Sequence, residues 1–196
     1  MVVRTPRLRM RPLNDEDRAE FVRLHSASEE AFRPFKPGRG DGETWDDVFD
    51  FQLSGAVLGA FDGRRHVWIA ELPDAEHQPM VGVFSLFDIF RGAVHGGIAS
   101  WYVDAARQGR GYGAEAVQAM LDLAFAPRPD GLALHRVQAN IRPVNRASLA
   151  LALRLGFRVE GVARGYLYID GDWRDHLFCA KLAEEHEPRW FVPESA

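Results

Sequence analysis

The chain has 196 residues, 46% of them apolar and 27% charged, with 13 Phe, 5 Trp and a formal net charge of −4. At roughly 150 residues per domain this is one domain of generous size, and its apolar content excludes a disordered chain, a collagen-like repeat and a metal- or disulfide-stapled mini-protein. The negative charge excludes a general nucleic-acid coat, the single cysteine, Cys179, excludes an intrachain disulfide, and no apolar run reaches the roughly 20 residues of a membrane span.

The first residues lack the apolar core of a signal peptide, so the expectation is a cytoplasmic protein in a reducing compartment. Only Lys36 and Lys181 are lysines, and the arginine bias is read as codon composition.

In chain order, Arg7 to Arg11 alternates polar and apolar residues, which predicts a short strand whose arginines are solvated. Asn14 caps a helix with Asp15, Glu16 and Asp17 in its first turn and Phe21, Leu24 and His25 on its inward stripe. Pro34, Pro37 and Gly38 to Gly42 mark a loop. A second helix is expected from Thr44 to about Phe61, with Trp45, Val48, Phe49, Leu53 and Val57 on its apolar side. Strands follow at His66–Glu71, Met80–Asp88 and Val94–Val103. A glycine-rich stretch leads into a helix ending near Phe125. His135–Ile141 reads as a strand, Asn145–Leu155 as a helix, and Arg158–Ile169 and Trp173–Leu182 as strands joined by the hairpin pair Asp170-Gly171. Residues 184 to 196 form a tail that Trp190 and Phe191 suggest is docked. The order predicts a mixed α/β (α+β) sheet in one domain, residues 1 to 183.

Chemistry is concentrated between Trp101 and Ala114. A strand ends, Gly109, Gly111 and Gly113 alternate, and an amphipathic helix opens. Glycines let several N–H groups converge, and a helix start adds unsatisfied donors with partial positive charge. Together these form a phosphate cradle, with Arg107 and Arg110 beside it. A dinucleotide fold would place this loop after a first strand with an acidic ribose ligand some 20 residues later, whereas Asp130 lies in a turn. No Gly-Lys-Ser/Thr follows, so the P-loop pattern fails. A tight turn with no ligand is the bland alternative.

Gln108-x-x-Gly111-x-Gly113, the runs His135 to Asn140, Pro143-x-Asn145-x-x-Ser148 and Leu155-Gly156-Phe157, and the segment Tyr166 to His176 resemble the GCN5-related N-acetyltransferase (GNAT) superfamily. The closing segment resembles its RimJ/RimL-type branch of ribosomal-protein alanine N-acetyltransferases, as do Arg91-Gly92-x-x-His95 and Phe35-Lys36-Pro37. The resemblance implies a GNAT fold, with antiparallel N-terminal strands and a central parallel strand pair that splays apart between flanking helices. It implies acetyl-CoA as cosubstrate and direct attack of an amine on the thioester. Trp101, Tyr102 and Val103 would pair with the pantetheine arm, and Gln108, Gly109, Arg110, Gly111, Tyr112, Gly113 and Ala114 would hold the pyrophosphate. Asn140, Asn145 and Ser148 would also face the carrier, with Ser148 as the catalytic proton donor.

Three positions depart from the family pattern. Ala152 stands where many relatives have an acidic tyrosine, Ile98 and its neighbours offer no carboxylate, and Leu167 replaces the RimL-type glutamate. An α-amine near pKa 7.8 costs about 1 kcal/mol to deprotonate at pH 7, against about 4.6 for lysine. The expected acceptor is therefore a protein or peptide N-terminus, of the ribosomal-protein type. A small-molecule amine, or a non-catalytic acyl-CoA-binding or ribosome-associated module, remain open alternatives. No metal is expected: Asp172-x-x-Asp175-His176 reads as a solvated hairpin, with Asp175 and His176 at a peptide entrance, and Cys179 as a small buried residue. The oligomeric state stays at monomer or homodimer, and the Arg33–Gly42 loop is a candidate lid.

Overall fold

The computed structural model describes residues 2–75, 77 and 79–190. The strands are β1 (Val3–Arg4), β2 (Arg9–Pro12), β3 (His66–Glu71), β4 (Met80–Phe90), β5 (Gly96–Val103), β6 (Arg136–Ile141), β7 (Arg158–Ile169) and β8 (Asp172–Leu182). The helices are α1 (Arg18–Phe32), α2 (Trp45–Asp62), α3 (Tyr112–Phe125) and α4 (Arg146–Arg154). All described strands join one sheet in the order β1-β2-β3-β4-β5-β6-β8-β7. Among the described strands only the β5/β6 pair is parallel. It is joined through α3, as a parallel connection requires a crossover.

Strand alternation divides the core into two compartments. Trp68, Phe84, Val137 and Ala139 pack with Met120 and Leu121 of α3. Val67, Ile69, Val83 and Tyr102 pack on the other face with Phe21 and Leu24 of α1 and Phe49 of α2. Helix α3 is buried from Glu115 to Ala124 because a second layer covers it. The chain after β8 turns at Ala183–Glu185 and lies on α3, where the Asp122 carboxylate accepts from His186 Nε2 (2.7 Å) and from the N–H groups of Arg189 (3.2 Å) and Trp190 (2.9 Å). The expected docking of Phe191 lies outside the described residues.

Several expectations are corrected. The first strand is preceded by β1, too short to show a period, and β2 starts at Arg9 because Arg7 turns toward α3. The arginines of this segment are not simply solvated. Arg11 pairs with both Asp17 and Glu71, and Arg9 with Glu71. Asn14 caps the one-turn 3-10 helix Asp15–Asp17, in a reciprocal capping box with Asp17, and α1 starts after it. Val57 is 63% exposed, since α2 uses its N-terminal half, around the fully buried Phe49, to cover the sheet. Strand β5 begins at Gly96 rather than Val94, and Val94 is exposed. The Asp170-Gly171 turn forms as expected, both residues having positive φ (51° and 77°).

His25 is buried between Phe21 (ring centroids 3.9 Å apart) and Tyr102 (4.3 Å), with Nδ1 donating to the Phe21 carbonyl at 2.8 Å. Burial pushes its pKa down to about 3, the Phe21 bond opposing the shift and Lys36 adding to it. The unfolded chain therefore takes up this proton first, and the stability present above about pH 6.5 is lost as pH falls toward 3. Chemical denaturation at pH 7 and pH 5 should show a loss of about 2 kcal/mol attributable to His25. His25→Leu should lack that part of the loss, and parallel declines in both proteins would contradict it.

Candidate active site

Strand β5 pairs with β6 only at Gly96↔Arg136, Gly97↔Val137 and Ile98↔Gln138. The approach is close where it exists: a Cβ on Gly96 would lie 2.7 Å from the Arg136 carbonyl. Beyond Ile98 the two strands part. β6 stays paired with β8 along its other edge, and β5 with β4. Residues 99 to 103 therefore present an unpaired backbone edge to the gap.

The chain leaves β5 through Asp104, a buried cap whose Oδ1 accepts from Ala106 N at 3.0 Å. Arg23 Nη2 reaches Asp104 Oδ2 at 3.3 Å, and Ala105 N donates to Ser28 Oγ at 3.0 Å, which fastens this turn to α1. Gly109 and Gly111 follow at φ +74° and +83°, conformations that side chains other than glycine rarely adopt. Gly111 caps α3, and the first bond of the helix is Glu115 N to Gly111 O at 3.1 Å. Among the described residues no backbone acceptor takes the N–H groups of Gly109 to Ala114. They form a row of donors at the positive end of a 14-residue helix.

A clamp with no local sequence trace holds this row. The buried Glu115 carboxylate accepts from Thr5 Oγ1 (2.5 Å), Arg7 N (2.9 Å) and Arg7 Nε (2.7 Å). Arg7 Nη1 also donates to the Arg110 carbonyl at 2.9 Å, and its guanidinium covers the Tyr112 ring at 4.7 Å. Glu115 would by itself oppose an anion at this helix start. Paired with Arg7, it anchors the loop while its charge is neutralised.

Opposite the glycine loop, Asn145 Oδ1 caps α4 by accepting from Ser148 N at 3.1 Å, and Ser148 Oγ accepts from Trp101 Nε1 at 3.2 Å. Between loop and α4 lies a cavity of about 400 Å³. Of the expected carrier residues, Trp101, Val103, Gln108, Gly109, Gly111, Tyr112, Gly113, Ala114, Asn145 and Ser148 line it together. Tyr102, Arg110 and Asn140 do not. Tyr102 points to the other face, as strand alternation requires, and its buried hydroxyl has its pKa raised by desolvation. Asn140, alternating with the buried Ala139 and Ile141, donates from Nδ2 to Tyr166 OH at 3.0 Å. Arg110 is exposed, with its carbonyl held by Arg7.

Phe32 and Phe35, from the end of α1 and the following turn, also line the cavity; Phe32 has no local sequence signal, whereas Phe35 stands in the Phe35-Lys36-Pro37 segment that carries part of the resemblance. Lys36 lies beside them with Nζ 4.5 Å from the Tyr102 ring centroid, and burial lowers its pKa to about 8. Arg142 Nη1 donates to the Pro34 carbonyl, joining this turn to the end of β6. His176 is buried beside Tyr166, and Asp175 accepts from Gly165 N at 2.8 Å. Cys179 is fully buried and burial raises its thiol pKa, so it is no nucleophile.

Comparison with known proteins agrees with this geometry. Residues 7–158 match the acetyltransferase (GNAT) domain family. The chain is 28% identical over 184 residues to the [ribosomal protein uS5]-alanine N-acetyltransferase of Escherichia coli, covering 94% of this chain and 92% of that protein. It is 30% identical to a probable N-acetyltransferase, YjcK, of Bacillus subtilis, covering 91% and 95% respectively. Among solved structures, Mycobacterium smegmatis RimJ in complex with CoA-disulfide superposes with a TM-score of 0.82 at 31% identity, covering all of this chain and 89% of that one.

The clamp gives an asymmetric prediction. Arg7→Met leaves the Glu115 carboxylate buried without its half-exposed counter-charge and should cost about 1.5 kcal/mol of stability. Adding Glu115→Gln removes that charge and should restore at least about 1 kcal/mol in denaturant titrations. A double variant less stable than Arg7→Met would contradict the pairing.

Proposed function

The chain belongs to the acetyltransferase (GNAT) family, and we propose that it acetylates the α-amino group of a protein N-terminus, of the ribosomal-protein alanine type. The observation that carries this reading is the convergence on one cavity of the free N–H row of Gly109 to Ala114, the unpaired β5 edge and the Ser148 hydroxyl. These groups fit acetyl-CoA, which supplies the acetyl group as a thioester. The N–H row and the α3 dipole match a diphosphate. The open edge of residues 99 to 103 matches an amide-bearing arm that pairs as an added strand, and an N–H on the same edge is placed to polarise the thioester carbonyl.

Ser148 is oriented for one task. Its Oγ accepts from Trp101 Nε1, which leaves its own O–H free to point into the cavity and polarises it toward donation. On this reading that proton goes to the sulfur leaving group.

The acceptor class is argued from proton affinity. Among the described residues no carboxylate lines the cavity, and deprotonating an α-ammonium at pH 7 costs about 1 kcal/mol against about 4.6 for a lysine side chain. The substrate named for the Escherichia coli relative, an alanine of a ribosomal protein, agrees with that arithmetic. The test compares kcat/KM for a peptide with a free N-terminal alanine against an N-terminally blocked peptide carrying one lysine. The expected preference for the first is at least about 100-fold at pH 7. Equal or preferred acetylation of lysine would overturn the assignment.

A further inference from the structure

The carrier-binding groups lie on the α3/α4 side of the gap, and the cavity reaches through it to Ala31, Phe32 and Phe35 on the α1 side, from which the acceptor would approach. On that side, the turn after α1 bridges the parting strands. Tyr102 lies four residues past Ile98, the last paired residue of β5, and Arg142 lies four past Gln138, its partner on β6. Lys36 Nζ rests over the Tyr102 ring, and Arg142 donates to the carbonyl of Pro34. The turn is fixed by Phe35 N and Lys36 N, which both donate to the Phe32 carbonyl at 2.8 and 3.1 Å. Its Phe35 side chain reaches into the cavity. The turn thus spans the open end of the gap, with the Lys36 amine on its β5 side.

We propose that Lys36 is the general base that takes the proton from the acceptor's α-ammonium. This inference rests on the N-terminal acetyltransferase reading above. Lys36 Nζ has no hydrogen-bond acceptor or carboxylate partner among the described residues, its one recorded contact being the Tyr102 ring face. The charged and titratable groups around it are otherwise engaged. His25 on α1 is neutral and bonded to Phe21 O. Glu29 on α1 is held by Arg39 and Trp45, and Arg142 at the end of β6 is held by Pro34 O. Burial without a counter-charge lowers the Lys36 pKa to about 8. That matches the α-amine it would deprotonate, the condition for efficient proton transfer.

The balance is complete with groups already named. Neutral Lys36 takes one proton from the acceptor ammonium. The freed amine forms the N–C bond, the C–S bond breaks with its electron pair on sulfur, and the second amine proton is passed to sulfur through Ser148. Lys36 then returns its proton to water. The products are the amide, the thiol and one released proton.

Because Lys36 and Lys181 are the only lysines, ¹³Cε-lysine NMR of the full-length protein resolves them, and Lys36→Met assigns the two signals. The Lys36 signal should titrate near pH 8 and shift when an N-terminal-alanine peptide is added with CoA. Lys36→Met and Lys36→Arg should each lower kcat about 100-fold at pH 7, since a guanidinium stays protonated. The wild-type rise of kcat with pH should disappear in both, while CoA affinity by calorimetry stays within twofold. A Lys36 signal titrating near its ordinary value, unchanged kcat in Lys36→Met, or activity restored in Lys36→Arg would each overturn the assignment. Failure of the wild type to acetylate the peptide would instead overturn the functional reading itself.

Discussion

The whole arrangement depends on one parallel junction that closes for three residue pairs and then opens. Gly96 lets β5 and β6 approach at the start of the junction, and from Ala99 onward β5 has a partner on one edge only. Backbone donors and acceptors inside a protein demand partners, so an opening in the middle of a sheet persists only where something extended can fill it. The flanking strands hold it open: β6 is committed to β8 along its whole length, and β5 to β4 continuously from Ile98 to Val103. The gap is therefore a property of the sheet order and not of any loop.

What surrounds the gap is electrostatic preparation for an anionic, extended guest. The α3 start offers its N–H row, and the one carboxylate in its first turn is neutralised by Arg7 from across the sheet. The same ion pair fixes the Arg110 carbonyl and stacks on Tyr112, so loop shape and loop charge are set by a single contact. On the far side of the sheet the charges on α1 are paired off, Arg23 with Glu20 and Asp104 and Glu29 with Arg39, and Lys36 stands beside neutral aromatic rings.

Legibility in the sequence followed the range of the interactions. The glycine loop, the Asp170-Gly171 hairpin and the β3 and β7 limits were readable because their causes are local: φ preference, turn chemistry, period-two alternation. The Asn145 cap and the placement of Ser148 in the cavity came through for the same reason, assisted by the family resemblance. The Arg7–Glu115 clamp was not readable, since the partners lie 108 residues apart and nothing local distinguishes Arg7 from a solvated strand arginine. Val57 looked like a core residue because its helical spacing was right, but the sheet ends before α2 does. Asn140 fell on the wrong face because a strand shows its two faces equally until its neighbours are known. The partial burial of Lys36 depends on how the chain returns after α1, which the Phe35-Lys36-Pro37 resemblance does not by itself specify.

Hydrogen exchange of the backbone amides with and without CoA tests the central claim most directly, because it reads the donors themselves. The amides of residues 109 to 114 and the open edge of residues 99 to 103 should gain protection together when CoA is present, with the rest of the sheet little changed. Protection confined to other segments, or none at these two, would contradict the account.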